Sequence, residues 1–197
     1  MRVSNHPPKG SHITADPIRS ERDIKNIKKL LADHPRNSCL FNFAINVNLR
    51  ASDILKVKVG NVRGVQVGEH FTLKEKKTGK ERRITLNRTV HASIQNLLAT
   101  MPDAQDHEPL FQSRKGGQAI CVQYFSLLVK KWCKAINLKG NWSAHSTRKT
   151  WGYMMRTVHN VDIPTLMTIY NHSSQKITLA YLGIQASEIK ATYMLEV

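Results

Sequence analysis

Cysteine is scarce in this chain: Cys39, Cys121 and Cys133 are an odd number with no CxxC pair among them. That excludes a disulfide framework and a zinc-finger spacing, so the three are expected to be core thiols in a reducing compartment. The N-terminal stretch has no apolar core, and no run of about 18 apolar residues occurs anywhere, which removes a secretory signal and a membrane-spanning helix from the expectations. Acidic residues are also few, with 14 Asp and Glu against 30 Lys and Arg. The Gly79-Lys80 pair lacks the upstream glycine spacing and the following Ser or Thr of a P-loop, so it implies no nucleotide site.

What is present is positive charge. The formal net charge is +16 and the sequence pI about 10.0, the footprint expected of a chain that neutralises phosphates. A basic ribosomal or membrane-surface protein would carry the same charge, so composition alone leaves the partner open. With 197 residues and 41% hydrophobic content, the chain can bury one good core.

The first sixteen residues are rich in Pro, Gly, His and Ser without periodicity and read as a flexible tail or linker. Ser20 is placed as an N-cap, followed by an apolar stripe of Ile24, Ile27, Leu30 and Leu31 that Pro35 closes. Phe41, Phe43, Ala44, Ile45 and Val47 are too continuous for a surface helix. They predict a central one that delivers Arg50 from a buried, rigid element. Residues 65–67, 70–73 and 83–86 are β-prone, with Lys77-Thr78-Gly79-Lys80 as a turn. Further helices are expected over 90–101, 121–136, 147–158, 164–170, 176–182 and 187–194. In these, Phe125, Leu128, Trp132 and Ile136 share one inward stripe, Trp151, Met154, Met155 and Val158 another, and Leu166 and Ile169 anchor the helix that Pro164 opens.

The last quarter holds His145-Ser146-Thr147-Arg148, then Asn171-His172-Ser173-Ser174, then Ala180-Tyr181-Leu182-Gly183-Ile184. An i, i+3 spacing puts His145 and Arg148 on one helix face, where both can address one phosphate. A Tyr hydroxyl can serve as nucleophile. Taken singly, each His is more often a hydrogen-bonded structural residue, and a charged hairpin tip such as 74–83 is as often a solvated edge.

Taken together with Asn48-Leu49-Arg50-Ala51-Ser52-Asp53 and Lys77-Thr78-Gly79-Lys80, these motifs resemble the tyrosine recombinases, or phage-type integrases, from about Pro17 to the C-terminus. The resemblance supplies Arg50, Lys77, His145, Arg148, His172 and Tyr181 as catalytic residues in the family's order. Lys76 and Lys80 are the nearest rivals of Lys77. Two positions depart from the pattern: Asn171 replaces the usual Gly before the third basic residue, and Lys149 stands where His often follows the second Arg. Asn tolerates the left-handed backbone that such a turn needs.

The resemblance implies a mainly α fold with a small antiparallel β-sheet of three strands at one edge (α+β). It implies a catalytic domain over 19–197 behind a tail or linker over 1–18, with no core-binding domain in the chain. It further implies site-specific cleavage and rejoining of double-stranded DNA through a 3′-phosphotyrosyl intermediate, without metal or other cofactor. Assembly as a homo-tetramer on DNA, accessory DNA-bending proteins and a cytoplasmic, nucleoid-associated location fit that reading. Lys77 would be the acid and His145 the base or proton relay. Asp53 would either orient a basic group of the site or act as a solvated or capping carboxylate. A type IB topoisomerase-like enzyme that relaxes DNA, and a catalytically decayed DNA-binding protein, are the alternatives.

Overall fold

The computed structural model of the protein describes residues 14–114, 116–183, 193, 194 and 196. Helix α1 (Glu21–Leu30) starts as expected, with Ser20 accepting from the Asp23 N–H at 3.3 Å. Acidic Glu21 and Asp23 lie in its first turn and Lys28 and Lys29 in its last, the order that complements the helix dipole. Only Ile27 and the capping Leu31 of its stripe are fully covered, while Leu30 is 43% exposed. Helix α2 (Pro35–Ala44) uses Pro35 as its opening residue, and residues 39–44 are all buried, so it is the central helix. It ends six residues before Arg50. The connection is itself buried: Leu49 is fully covered, and Asn48 adopts a left-handed φ of 49°.

Two short helices follow, α3 (Ala51–Ile54), with Arg50 at its N-cap, and α4 (Val59–Val62). The sheet has two strands rather than three among the described residues. Strand β1 (His70–Lys74) pairs antiparallel with β2 (Glu81–Thr85), His70 opposite Thr85 and Lys74 opposite Glu81. Residues 65–67 do not form the extra strand, because Gly64 and Gly68 on either side both take positive φ, 80° and 87°, and bend the run into turns. Phe71, Leu73 and Ile84 turn inward from the sheet.

Helix α5 (Arg88–Leu98) packs on α2, and α6 (Val122–Ala135) carries the expected stripe of Phe125, Leu128 and Trp132 into the core. There Phe41 meets Trp132 edge-on at 5.8 Å and Phe43 meets Phe111 at 5.7 Å, a favoured aromatic geometry. Burial pushes the Cys39 and Cys133 thiols up to about 12. Cys121 differs from the expected core thiol: it is exposed, and its Sγ accepts from the Tyr124 N–H at the start of α6.

Helix α7 (Ala144–Thr157) begins three residues earlier than the apolar pattern suggests, because Ser143 and Ser146 form a reciprocal capping box. His145 therefore lies inside the helix with Arg148. Val158, expected to face inward, is 42% exposed. Helix α8 (Ile163–Tyr170) is anchored by Leu166 and Tyr170 rather than Ile169, and α9 (Gln175–Leu182) carries Tyr181. Leu166, Tyr170 and Leu182 make a second, smaller core with Trp151, Met155 and Tyr181 against it. The helix expected over 187–194 falls almost wholly outside the described residues. Within the expected tail, Ile18 is fully buried and donates its N–H to Thr150 Oγ1 at 2.8 Å, and the Asp16 N–H donates to the Asn141 carbonyl at 2.8 Å.

Candidate active site

Arg148 projects from the second turn of α7 and is 7% exposed. Its Nε donates to the backbone carbonyl of Asn48 at 3.3 Å and to Asn48 Oδ1 at 3.1 Å, and its guanidinium lies 4.8 Å from the centre of the Tyr170 ring. Those contacts hold Nε and leave the two terminal NH2 groups to meet an anion. Arg50, at the N-cap of α3, is held differently, through Nη1 to Glu75 Oε2 at 3.0 Å. The two guanidinia are near enough for Arg50 to depress the pKa of Arg148, behind the larger effect of burial.

The turn before His172 forms as the Asn171 substitution allows. Asn171 sits at φ 55°, ψ 49° in the left-handed region, and the His172 N–H returns to the Met167 carbonyl. The His172 ring stacks on Tyr170 at 5.1 Å with 18° between planes, and its Nδ1 lies 3.0 Å from Thr178 Oγ1. Its pKa falls below the ordinary value through burial first and then Arg148 and Arg50. His145 is lowered in the same way, by burial and then by Arg148, Lys149 and Arg50. Both rings are therefore neutral near pH 7 and able to accept a proton.

Tyr181 is packed by Tyr170 at 5.1 Å, by the edge of His172 at 5.4 Å and by the Lys149 ammonium 5.0 Å from its ring centre. Its hydroxyl is buried without a hydrogen-bond partner. Burial raises the phenol pKa, and Arg148 and then Arg50 pull it part of the way back. Arg148 acts on this oxygen first through its charge and then through a loose side-chain approach that stops short of a well-formed hydrogen bond. An open cavity of about 1070 Å³ reaches the same oxygen-bearing ring, lined by Ser126, Lys130, Trp142, His145, Lys149 and Tyr181 among others.

Five of the six residues expected from the sequence, Arg50, His145, Arg148, His172 and Tyr181, thus share one electrostatic neighbourhood. Lys77 is not brought into it. It is exposed at the tip of the hairpin turn, where Gly79 takes a φ of 68°. Asp53, fully buried, accepts the Lys76 backbone N–H on Oδ1 at 2.8 Å. It fastens the turn's backbone instead of orienting a basic side chain.

Sequence reasoning missed Glu75, Arg82, Asn48 and Tyr170. Glu75 was findable as the one acid in the run 74–80. Tyr170 carried no signal, although its hydroxyl donates to the Arg148 carbonyl and its ring underlies both Arg148 and His172.

The helical body with its small antiparallel hairpin is that of the tyrosine recombinase class of DNA strand transferases. The chain belongs to the phage integrase family, whose sequence profile matches residues 20–188. It is 35% identical over 179 residues to the probable integrase/recombinase YoeC of Bacillus subtilis (strain 168), covering 90% of this chain and 94% of that protein. It is 30% identical over 175 residues to the tyrosine recombinase XerC of Caldanaerobacter subterraneus subsp. tengcongensis, covering 85% of this chain but 48% of that protein. The crystal structure of XerA recombinase superposes with a TM-score of 0.74 at 15% identity, over 95% of this chain and 68% of that one. Among the described residues, no helix is long and apolar enough to cross a membrane.

Proposed function

We propose that this protein cleaves and rejoins double-stranded DNA at specific sites through a covalent link between Tyr181 and a DNA 3′ phosphate. The observation that carries this reading is the Tyr181 hydroxyl, buried without a partner beside Arg148 and Arg50. A buried polar atom left unsatisfied is costly, and a docked phosphate would supply what it lacks. In the step, the phenol oxygen forms a bond to phosphorus while the bond to the 5′ oxygen breaks. The phenol proton passes to His145, and Lys77 protonates the departing 5′ oxygen once the hairpin closes on DNA. Arg50, Arg148 and His172 stabilise the charge that builds on the non-bridging oxygens, where fixed donors act most strongly in the transition state. Because the phosphotyrosyl bond conserves the energy of the broken one, a second 5′ hydroxyl can reverse the chemistry on another strand.

We read residues 19–197 as the catalytic domain, a reading that the family profile over residues 20–188 supports. Similarity to XerH, whose crystal structure is bound to a palindromic difH substrate in a post-cleavage complex and superposes with a TM-score of 0.70, favours DNA as the partner and assembly on it. The test uses a nicked suicide duplex selected by the protein from a random-sequence pool. Wild-type protein gives a detergent-resistant protein–DNA adduct, and Tyr181→Phe binds the duplex within a few-fold but gives none. An equal adduct from Tyr181→Phe refutes the assignment.

A further inference from the structure

Arg50, Arg82 and Arg148 are gathered closely enough for the first and second to depress the third. Like charges held together in a folded protein need a resident anion. One carboxylate serves Arg50 and Arg82. Glu75, one-tenth exposed, accepts from Arg50 Nη1 on Oε2 at 3.0 Å and from Arg82 Nη1 on Oε1 at 3.2 Å. Oε2 also accepts from Thr78 Oγ1 at 2.8 Å, next to Lys77 in the hairpin turn. We propose that Glu75 is a positioning residue for strand cleavage: it holds Arg50 by a single donor and so aims the rest of that guanidinium at the scissile phosphate. This rests on the recombinase reading above.

The geometry favours positioning over blocking. A guanidinium has five N–H donors in a rigid fork, and Glu75 occupies Nη1 alone. Arg148 is held through a different nitrogen and a neutral acceptor, its Nε on Asn48, which likewise leaves its terminal groups for an anion. Each arginine of the clamp is thus tethered by one nitrogen to a protein acceptor. Burial would raise the pKa of the Glu75 carboxyl, but hydrogen bonds from Thr78, Arg50 and Arg82 outweigh that and lower it, so the group stays ionised. Since Thr78 shares the oxygen that holds Arg50, the turn bearing Lys77 is referenced to the same point.

The experiment measures single-turnover adduct formation on the selected suicide duplex at saturating protein, with affinity measured in parallel by gel shift. Wild type, Glu75→Gln, Glu75→Ala, Arg50→Ala and the Glu75→Ala/Arg50→Ala double variant are compared. Glu75→Gln is expected to bind within about three-fold of wild type and to form adduct roughly 10–100-fold more slowly, the cost of a misaimed clamp. In the Arg50→Ala background, the loss of Glu75 is expected to cost less than about three-fold, because a residue acting through Arg50 has nothing left to position. Glu75→Gln as fast as wild type or faster overturns the proposal, the faster rate marking the carboxylate as a blocker. So does a full further loss in the double variant, which would mark a general role in folding. No adduct from the wild-type protein overturns the cleavage reading itself, and this role with it.

Discussion

The Tyr170 hydroxyl donates to the backbone carbonyl of Arg148 at 2.8 Å, joining the end of α8 to the second turn of α7. The same ring carries the Arg148 guanidinium over one part and the His172 imidazole in a stack. One buried phenol therefore sets the distance between two of the groups proposed to grip phosphate. Burial raises its pKa far above the ordinary phenol value, and its hydroxyl is committed to the Arg148 carbonyl, so it remains a neutral donor.

Tyr170→Phe should therefore still form the covalent adduct on the suicide duplex, while Tyr181→Phe should not. The lost hydrogen bond leaves a buried carbonyl with less support, which costs about 1–3 kcal/mol. Adduct formation should slow by roughly ten-fold, the shift that follows when a supporting hydrogen bond is lost. A Tyr170→Phe protein with no adduct would make Tyr170 the nucleophile.

Gly152, one turn beyond Arg148 on α7, faces the Tyr170 hydroxyl, and a Cβ there would lie 2.6 Å from Leu182 Cδ2. Gly152→Ala should destabilise the domain by about 1–3 kcal/mol, as overpacking does. Thermal unfolding measures this directly. An unchanged melting temperature would show that α8 and α9 are free to move off α7.

His145 is lowered below its ordinary value of 6.5 by burial, then by Arg148, Lys149 and Arg50, and a base must be unprotonated to act. Adduct formation should thus be level through neutral pH and fall only as the pH drops through the depressed value, below 6.5. His172 is lowered as well, so the profile is repeated in His172→Gln, where the same limb should persist. Lys149→Gln removes one positive neighbour and should move the limb upward. A limb centred above pH 6.5 would contradict the depressed imidazole.

Lys77 is exposed at the hairpin tip, so its part depends on closure over DNA. Lys77→Ala should slow adduct formation by roughly 10²–10⁴, the range of general acid catalysis. A substrate with sulfur in place of the bridging 5′ oxygen needs no proton to depart, and on it Lys77→Ala should recover while Arg50→Ala and Arg148→Ala should not. Rescue of Lys76→Ala or Lys80→Ala in its place would shift the acid along the turn.

Among the described residues, no group of three or more His, Cys, Asp and Glu could hold a metal ion. Adduct formation should proceed undiminished in a chelator. Loss in EDTA with recovery on Mg²⁺ would refute the all-protein charge set.

Five of the six candidate residues, Arg50, His145, Arg148, His172 and Tyr181, were legible in the chain as groups that the fold gathers, while Lys77 stays apart at the hairpin tip. The Ser20 cap, the α6 stripe and the left-handed turn at Asn171 were legible too, because caps, periodicity and backbone preference depend on residues a few positions apart. The tether between Arg148 and Asn48 joins residues 100 apart, and Glu75 reaches back 25 residues to Arg50. No local spacing encodes either. The third strand failed for a reason of the same kind: residues 65–67 have the composition of a strand, but the backbone at Gly64 and Gly68 turns them away from a partner. Sequence by itself determined which chemical groups the protein carries and on which elements they ride. Only the tertiary structure decided which acceptor holds each guanidinium, since that depends on where packing of the apolar faces brings distant backbone and carboxylate oxygens.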